Sequence, residues 1–254
     1  MPKTSRIAAL ADFDRDYLDG RSFVLGIDEA GRGALAGPVC AGAVAVSAKL
    51  YDSPEALSML SALNDSKQIS HEARESLFSE LEKLKKAQML DFEAGFADVA
   101  EIESQNILVA TQIAMARAAE AVNSRQNLNL RRAGAAATLF GESRLDVAKA
   151  QVLIDGKEMK KFPYSHKAVV KGDAQSLAIA AASIVAKVSR DRLMEKLAEK
   201  YPRFGFEHHK GYGTAAHMQA LVLFGTTPEH RKSFLKKIRP EENDSPKETQ
   251  QTLF

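Results

Sequence analysis

Four carboxylates in this chain share a local setting that could do chemistry. Asp28 and Glu29 close the apolar stretch 22–28 (SFVLGID) and open a glycine-bearing turn. Asp155 ends the apolar run 151–154 and precedes Gly156, and Asp173 follows the apolar run 168–170 through Lys171 and Gly172. Acids at the ends of strands in one sheet converge, and converging carboxylates repel one another and raise one another's pKa values. A hard divalent cation relieves that repulsion, so Mg²⁺ or Mn²⁺ is the natural occupant. Two such ions, roughly 3.5–4 Å apart, would stabilise the attacking and leaving oxygens of an in-line phosphoryl displacement. One acid beside a glycine is an ordinary turn residue; four in the same setting point to metal-assisted chemistry at a phosphate.

Other chemistries find less support. Cys40 is the one cysteine and lies in the apolar run 38–46, which suits a small buried hydrophobe and rules out a disulfide framework. Zinc at His208, His209 and His217 is disfavoured, because adjacent histidines do not easily face one ion and no cysteine or acid stands at a familiar ligand spacing. Gly26, Gly31, Gly33 and Gly37 do not spell a dinucleotide loop, and Asp28-Glu29 would repel a pyrophosphate.

The elements that must position the acids alternate. Residues 22–28 and 38–46 read as neighbouring strands joined by the turn 29–37. Ser70 is an acceptable N-cap for a helix whose Leu77, Phe78, Leu81 and Leu84 recur at helical spacing; a strand at 88–96 and a helix over about 102–122 follow. Residues 123–149 show no sustained period and read as an insertion or loop. A long helix over 176–200 places Leu177, Ala181, Ile184 and Val188 on an apolar stripe, with Ser183, Lys187 and Arg190 on a different, polar face. Helical pieces at 215–224 and 229–237 come next, and 240–249 is a polar tail expected to be disordered. The expected division is an N-terminal extension (1–21), a catalytic α/β domain (22–195), a small helical extension (196–239) and a tail (240–254).

The net charge of +2 hides an asymmetry: residues 1–156 hold 17 Lys and Arg against 22 Asp and Glu, whereas 157–239 hold 17 against 7. A basic segment after an acidic one suggests a polyanion bound by the later half. No apolar run approaches the roughly 20 residues of a membrane span, and the N-terminus lacks the apolar core of a secretory signal, so a cytoplasmic location is expected.

The stretch 26–39 (GIDEAGRGALAGPV) resembles the N-terminal signature of ribonuclease HII, the type 2 ribonuclease H family. Further segments resemble the family in order: Asn64-Asp65-Ser66-Lys67, Leu153-Ile154-Asp155-Gly156, Lys171-Gly172-Asp173, AAASIVAKVSRDRLM at 180–194, FGFEHHKGYGT at 204–214 and HRKSF at 230–234. The resemblance implies a ribonuclease H-like α/β core, with a central mixed sheet flanked by helices and a small C-terminal helical domain. It carries Asp28, Glu29, Asp155 and Asp173 over as metal-binding acids. It implies that the backbone of Gly31, Arg32 and Gly33 recognises the ribonucleotide 2′-hydroxyl and that Tyr212 packs on the next sugar. Only the 2′-hydroxyl distinguishes RNA from DNA at a given position, and glycines let backbone approach a sugar closely.

Lys67, Ser183, Lys187 and Arg190 stand where phosphate contacts are expected. The implied activity is hydrolysis of the RNA strand of RNA/DNA hybrids and a cut 5′ of ribonucleotides embedded in DNA, leaving 5′-phosphate and 3′-hydroxyl ends, in replication and repair. The alternative is a non-catalytic hybrid-binding module, which the presence of all four acids disfavours. Departures from the family pattern are Ala34 in place of a usual proline, the N-terminal extension, and the longer 123–149 segment. The last residues, Gln250-Gln251-Thr252-Leu253-Phe254, resemble peptides that dock in bacterial replicative sliding clamps, with Gln250, Leu253 and Phe254 as anchors; a flexible tether would raise effective concentration at DNA.

Overall fold

Five apolar segments pair into one mixed sheet in a computed structural model that describes residues 3–65, 69–134 and 148–236. They are β1 (Phe23–Ala30), β2 (Val39–Ser47), β3 (Leu90–Ala97), β4 (Ala150–Asp155) and β5 (Lys167–Val169), in the order β3-β2-β1-β4-β5. The β1–β2 and β2–β3 pairs are antiparallel; β1–β4 and β4–β5 are parallel. Alternation along each strand sorts the side chains to two buried faces. Val24, Val44, Val46 and Leu153 pack with α7 (Leu177–Lys200), while Leu25, Ile27, Val152 and Ile154 pack with α6 (Ile107–Gln126).

Helix α7 lies against the sheet at a distance that a side chain on Gly26 would prevent. A Cβ there would stand 2.2 Å from the backbone carbon of Ala178. The alanine-rich start of α7 and the glycine in β1 are two halves of one close contact, which fixes the helix over the strand that carries Asp28.

Around this core run α1 (Lys3–Leu18), α2 (Ala48–Tyr51), α3 (Pro54–Met59), α4 (His71–Lys86) and α5 (Val99–Gln105). Ser70 caps α4 as expected, accepting from the Ala73 amide at 3.2 Å. The N-terminal extension is a helix docked on the core: Ile7, Leu10 and Ala11 are buried, and the buried Asp14 accepts from the Ala178 amide (2.8 Å) and the Tyr51 hydroxyl (2.9 Å). A carboxylate at the first turn of α7 favours that helix, although burial pushes Asp14 up to about 6.

Three expectations are corrected. The single helix over 102–122 is two, α5 and α6, broken at Asn106, whose φ of 70° turns the chain while its side chain accepts from the amides of Leu108 and Val109. The segment read as an insertion from 123 begins inside α6, and its Leu128 and Leu130 are buried in the α6 core; residues 135–147 lie outside the described residues. Of the helix expected over 229–237, the described residues up to 236 form α10 (Lys232–Leu235), while 229–231 are not helical.

Beyond α7, α8 (Phe206–His209), α9 (Ala215–Phe224) and α10 gather a third apolar cluster of Met194, Ala198, Phe204, Phe206, Ala220 and Leu221 around Leu35 and Ala36 of the β1–β2 loop. Helix α7 runs through residues 195 and 196, and the C-terminal extension shares its core with that loop. No helix among the described residues is long and apolar enough to cross a membrane.

Candidate active site

The register of the sheet brings two of the acids together. Ile27 pairs with Ile154 in the parallel β1–β4 ladder, so Asp28 and Asp155 are the next residues along adjacent strands. Both fall on the α7 face, two residues beyond Gly26 and Leu153. Asp173 lies in a single helical turn (Gly172–Ala174) between β5 and α7, and the Gly172 amide donates to Asp155 Oδ1 at 2.6 Å. One hydrogen bond therefore ties the end of β4 to the turn that carries the fourth acid. The expectation that each acid sits at or next to a strand end holds for Asp155, the last residue of β4, and for Glu29, the last but one of β1; Asp28 lies two residues inside β1, and Asp173 lies beyond β5 in that turn.

The electrostatics register this convergence. Burial holds the Asp28 carboxyl well above the usual carboxylate range, and Glu29, Asp155 and Asp173 push it higher, against the Glu29 amide that donates to Asp28 Oδ1 at 2.7 Å. Glu29 Oε1 accepts from Arg32 at 2.8 Å, and its buried Oε2 has no hydrogen-bond partner among the described residues. An orphaned carboxylate oxygen beside three further acids suits a hard cation, since oxygen ligands are what Mg²⁺ and Mn²⁺ take. Among the described residues no three acid, histidine or cysteine side chains close around one point as ligands of a single ion, so the acids meet as neighbours rather than as a formed ligand shell.

Asp28, Glu29 and Asp173 open onto a cleft of about 440 Å³ that is also lined by Gly31, Arg32, Gly33, Ser183, Lys187 and Tyr212. Gly31 has φ of +87°, and a Cβ there would fall 1.9 Å from Arg190 Nε, so glycine alone fits. Arg32 and Gly33 are exposed beside it. Tyr212 is 38 % exposed, its ring 5.4 Å from the Arg190 guanidinium. Burial lowers the pKa of Lys187, while Asp191 opposes that shift.

Arg190 departs from the expected phosphate contact. It is 1 % exposed, and its guanidinium donates to the carbonyls of Pro38 (3.0 Å), Lys210 (2.9 Å) and Ala36 (3.0 Å). Helix α7 is enclosed on more sides than an apolar stripe implies, so a cation that reads as solvent-facing is a buried strut. Lys67 and Gln250, Leu253 and Phe254 lie outside the described residues.

Arg74, on α4, joins the cleft without having been anticipated: it donates to Ile69 O at 2.6 Å and stands 3.5 Å from Asp191. Its place on an amphipathic surface helix carries no signal in sequence. A second groove, lined in part by His71, His208 and Lys210, shares Arg74, Lys187 and Tyr212 with the cleft. The three histidines discounted as zinc ligands are otherwise occupied or apart. His209 and His217 stack at 4.3 Å with ring nitrogens hydrogen-bonded to protein, while His208 is solvent-exposed. Cys40 is buried, and burial pushes its thiol far up, as suits a core residue.

A family model described as Ribonuclease HII matches residues 25–237. A ribonuclease HII of Desulfitobacterium hafniense is 40 % identical over 233 residues, covering 91 % of this chain and 76 % of that one. Among solved structures, the PCNA:RNase HII complex from Archaeoglobus fulgidus has a chain that superposes with a TM-score of 0.58 at 22 % identity, over 83 % of this chain and 94 % of that one. Bst-RNase HIII in complex with Mn²⁺ superposes with a TM-score of 0.52 at 15 % identity, over 87 % and 72 %. At those identities the superpositions speak for a shared ribonuclease H-like fold. The chain belongs to the ribonuclease HII family and is, as a member, a ribonuclease H-type endonuclease.

Proposed function

We propose that this chain hydrolyses the RNA strand of RNA/DNA hybrids and cuts DNA on the 5′ side of embedded ribonucleotides, using Mg²⁺ or Mn²⁺ held by Asp28, Glu29, Asp155 and Asp173. The observation that carries the reading is one cleft in which the buried Asp28 and its acidic neighbours face an exposed glycine turn and an exposed tyrosine. Bound divalent ions supply charge neutralisation at the phosphate and a water of lowered pKa. Water attacks phosphorus, the bond to the preceding 3′ oxygen breaks, and the products are a 3′-hydroxyl and a 5′-phosphate. The protein orients the strand: backbone of Gly31, Arg32 and Gly33 meets the 2′-hydroxyl, the Tyr212 ring packs on the following sugar, and Ser183, Lys187 and Lys67 take phosphates. Arg74 supplies a further cation at the cleft wall.

A labelled DNA duplex with one ribonucleotide tests the reading. With Mg²⁺ or Mn²⁺ it is cut once, 5′ of the ribonucleotide, and Asp28→Asn and Asp155→Asn each lower kcat by about a thousandfold or more, a loss of the size seen when charge stabilisation of a transition state is removed. Binding without cutting in either metal would leave a hybrid-binding module.

A cytoplasmic site of action at replicated DNA fits the C-terminal peptide. We propose that Gln250, Leu253 and Phe254 anchor the chain to a replicative sliding clamp; a family member from Archaeoglobus fulgidus is itself known in complex with PCNA. Deleting residues 250–254 abolishes clamp binding in a pull-down and leaves cleavage of the free duplex unchanged; retained binding defeats the proposal.

A further inference from the structure

The HRKSF segment has a place in the fold that the reaction does not yet use. Its backbone pairs with the β1–β2 loop: Arg231 N donates to Leu35 O at 2.8 Å, Gly37 N donates to Glu229 O at 2.8 Å, and Ala36 and His230 form an antiparallel bridge. From that bridge the Arg231 side chain, 0 % exposed, reaches into the loop, where Nε donates to Gly37 O (2.9 Å) and Nη1 to Arg32 O (3.0 Å). No carboxylate among the described residues lies within ion-pair distance of it, and burial followed by the neighbouring Arg190 lowers its pKa to about 9, against the opposing charges of Tyr212 and the more distant Glu103. A desolvated cation is a costly way to hold a loop.

That loop contact has a directional consequence. In a trans peptide the carbonyl and the next N–H point in opposite directions. Arg231 fastens the Arg32 carbonyl, so the Gly33 N–H points away from Arg231, and Gly33 itself lines the cleft. Space is open at the Gly33 Cα: apart from its chain neighbours, no heavy atom lies within 4 Å of where a Cβ would stand.

The adjacent residue serves the other recognition element. His230 Nδ1 accepts from the Thr227 amide at 2.9 Å, which leaves Nε2–H to donate to His217 Nε2 at 3.0 Å. His217 then donates from Nδ1 to the Tyr212 carbonyl at 3.0 Å. Both imidazoles are neutral in this chain of donors, and burial lowers the pKa of each.

We propose that the buried pair His230-Arg231 positions ribonucleotide recognition: Arg231 aims the Gly33 amide at the 2′-hydroxyl, and His230, through His217, holds Tyr212 against the following sugar. Neither side chain touches substrate; each acts through a backbone carbonyl. The inference rests on the substrate contacts proposed above for Gly33 and Tyr212, and it adds that a two-residue clamp from the C-terminal extension fixes their separation.

Arg231→Lys keeps the charge but reaches only one of the two carbonyls. The experiment compares wild type, Arg231→Lys and His230→Gln in two ways: affinity for a fluorescent duplex with one ribonucleotide against the matched all-DNA duplex, in EDTA, and kcat and KM for cutting the first. Both variants are expected to lose ribonucleotide preference, the ratio of the two affinities falling toward one, and to lose about 10- to 100-fold in kcat/KM, the scale of a small misplacement remote from the chemistry. All-DNA affinity stays within about twofold of wild type, since phosphate contacts do not read the sugar. If Arg231→Lys does not fold, His230→Gln carries the test. Activity that falls only with the folded fraction, at an unchanged affinity ratio, overturns the clamp. A wild type that neither prefers nor cuts the ribonucleotide duplex overturns the substrate reading, and the clamp with it.

Discussion

Asp28 is held among like charges in a buried place, and that has a cost in stability. An acid whose native pKa is raised binds its proton more tightly folded than unfolded. The stability it contributes is present below the unfolded value near 3.8 and is lost as pH rises through its raised native value. Asp28→Asn keeps the shape and escapes that loss. In EDTA at neutral pH it should exceed wild type by about 1–2 kcal/mol, the usual gain when a strained active-site group is neutralised, with the gap closing as pH falls toward 4. Saturating Mg²⁺ should reverse the order, because binding to the native state stabilises only the protein that still holds the ion. Thermal midpoints measured with and without metal decide the matter: equal midpoints in EDTA would mean that Asp28 bears no net repulsion. This residue was legible in the sequence because four acids beside glycine turns share a pattern. Arg231 was not, because nothing in a run of letters separates a solvated arginine from one folded under a loop.

Elements were legible where periodicity and caps agree. The Ser70 cap of α4 and the bounds of α9 are found where the sequence puts them. The break at Asn106 was hidden because apolar residues continue across it, while a left-handed turn and a side-chain cap depend on one asparagine's backbone. Helix α7 misled for a different reason. Sheet, α1, α4 and the C-terminal helices cover it on several sides, so its cations could not be assigned to a solvent face. The same crowding makes its seat on β1 intolerant. Gly26→Ala puts a methyl 2.2 Å from helix backbone, which no rotamer relieves. The expected loss is about 3 kcal/mol or more, the upper end for overpacking a core, read as a lowered urea midpoint, together with loss of cleavage because Asp28 lies two residues on. A loss under about 1 kcal/mol would mean that α7 shifts freely.

At the scale of the whole molecule, the cations behind the +10 surplus of residues 157–239 are not equivalent. Lys187 lines the cleft, joined there by Arg74 from the acidic first segment, whereas Arg190 and Arg231 are spent on carbonyls inside the protein. Binding of a polyanion releases counterions, so log affinity falls linearly with log salt, by about 0.9 for each duplex phosphate neutralised. Lys187→Ala should therefore weaken binding of the ribonucleotide duplex and the all-DNA duplex alike and flatten the salt dependence by about one unit of slope. Arg190→Ala should leave the slope of the folded fraction unchanged and lower the thermal midpoint, because its charge never meets a phosphate and its loss strands the buried carbonyls of Pro38 and Ala36 and the part-buried carbonyl of Lys210. The preference for the ribonucleotide duplex should be independent of salt in the wild type, since it arises from neutral contacts with one hydroxyl and one sugar ring. Titrations at four salt concentrations separate these terms: an Arg190→Ala slope that flattens as much as that of Lys187→Ala would return Arg190 to the phosphate-binding face and refute its role as a strut.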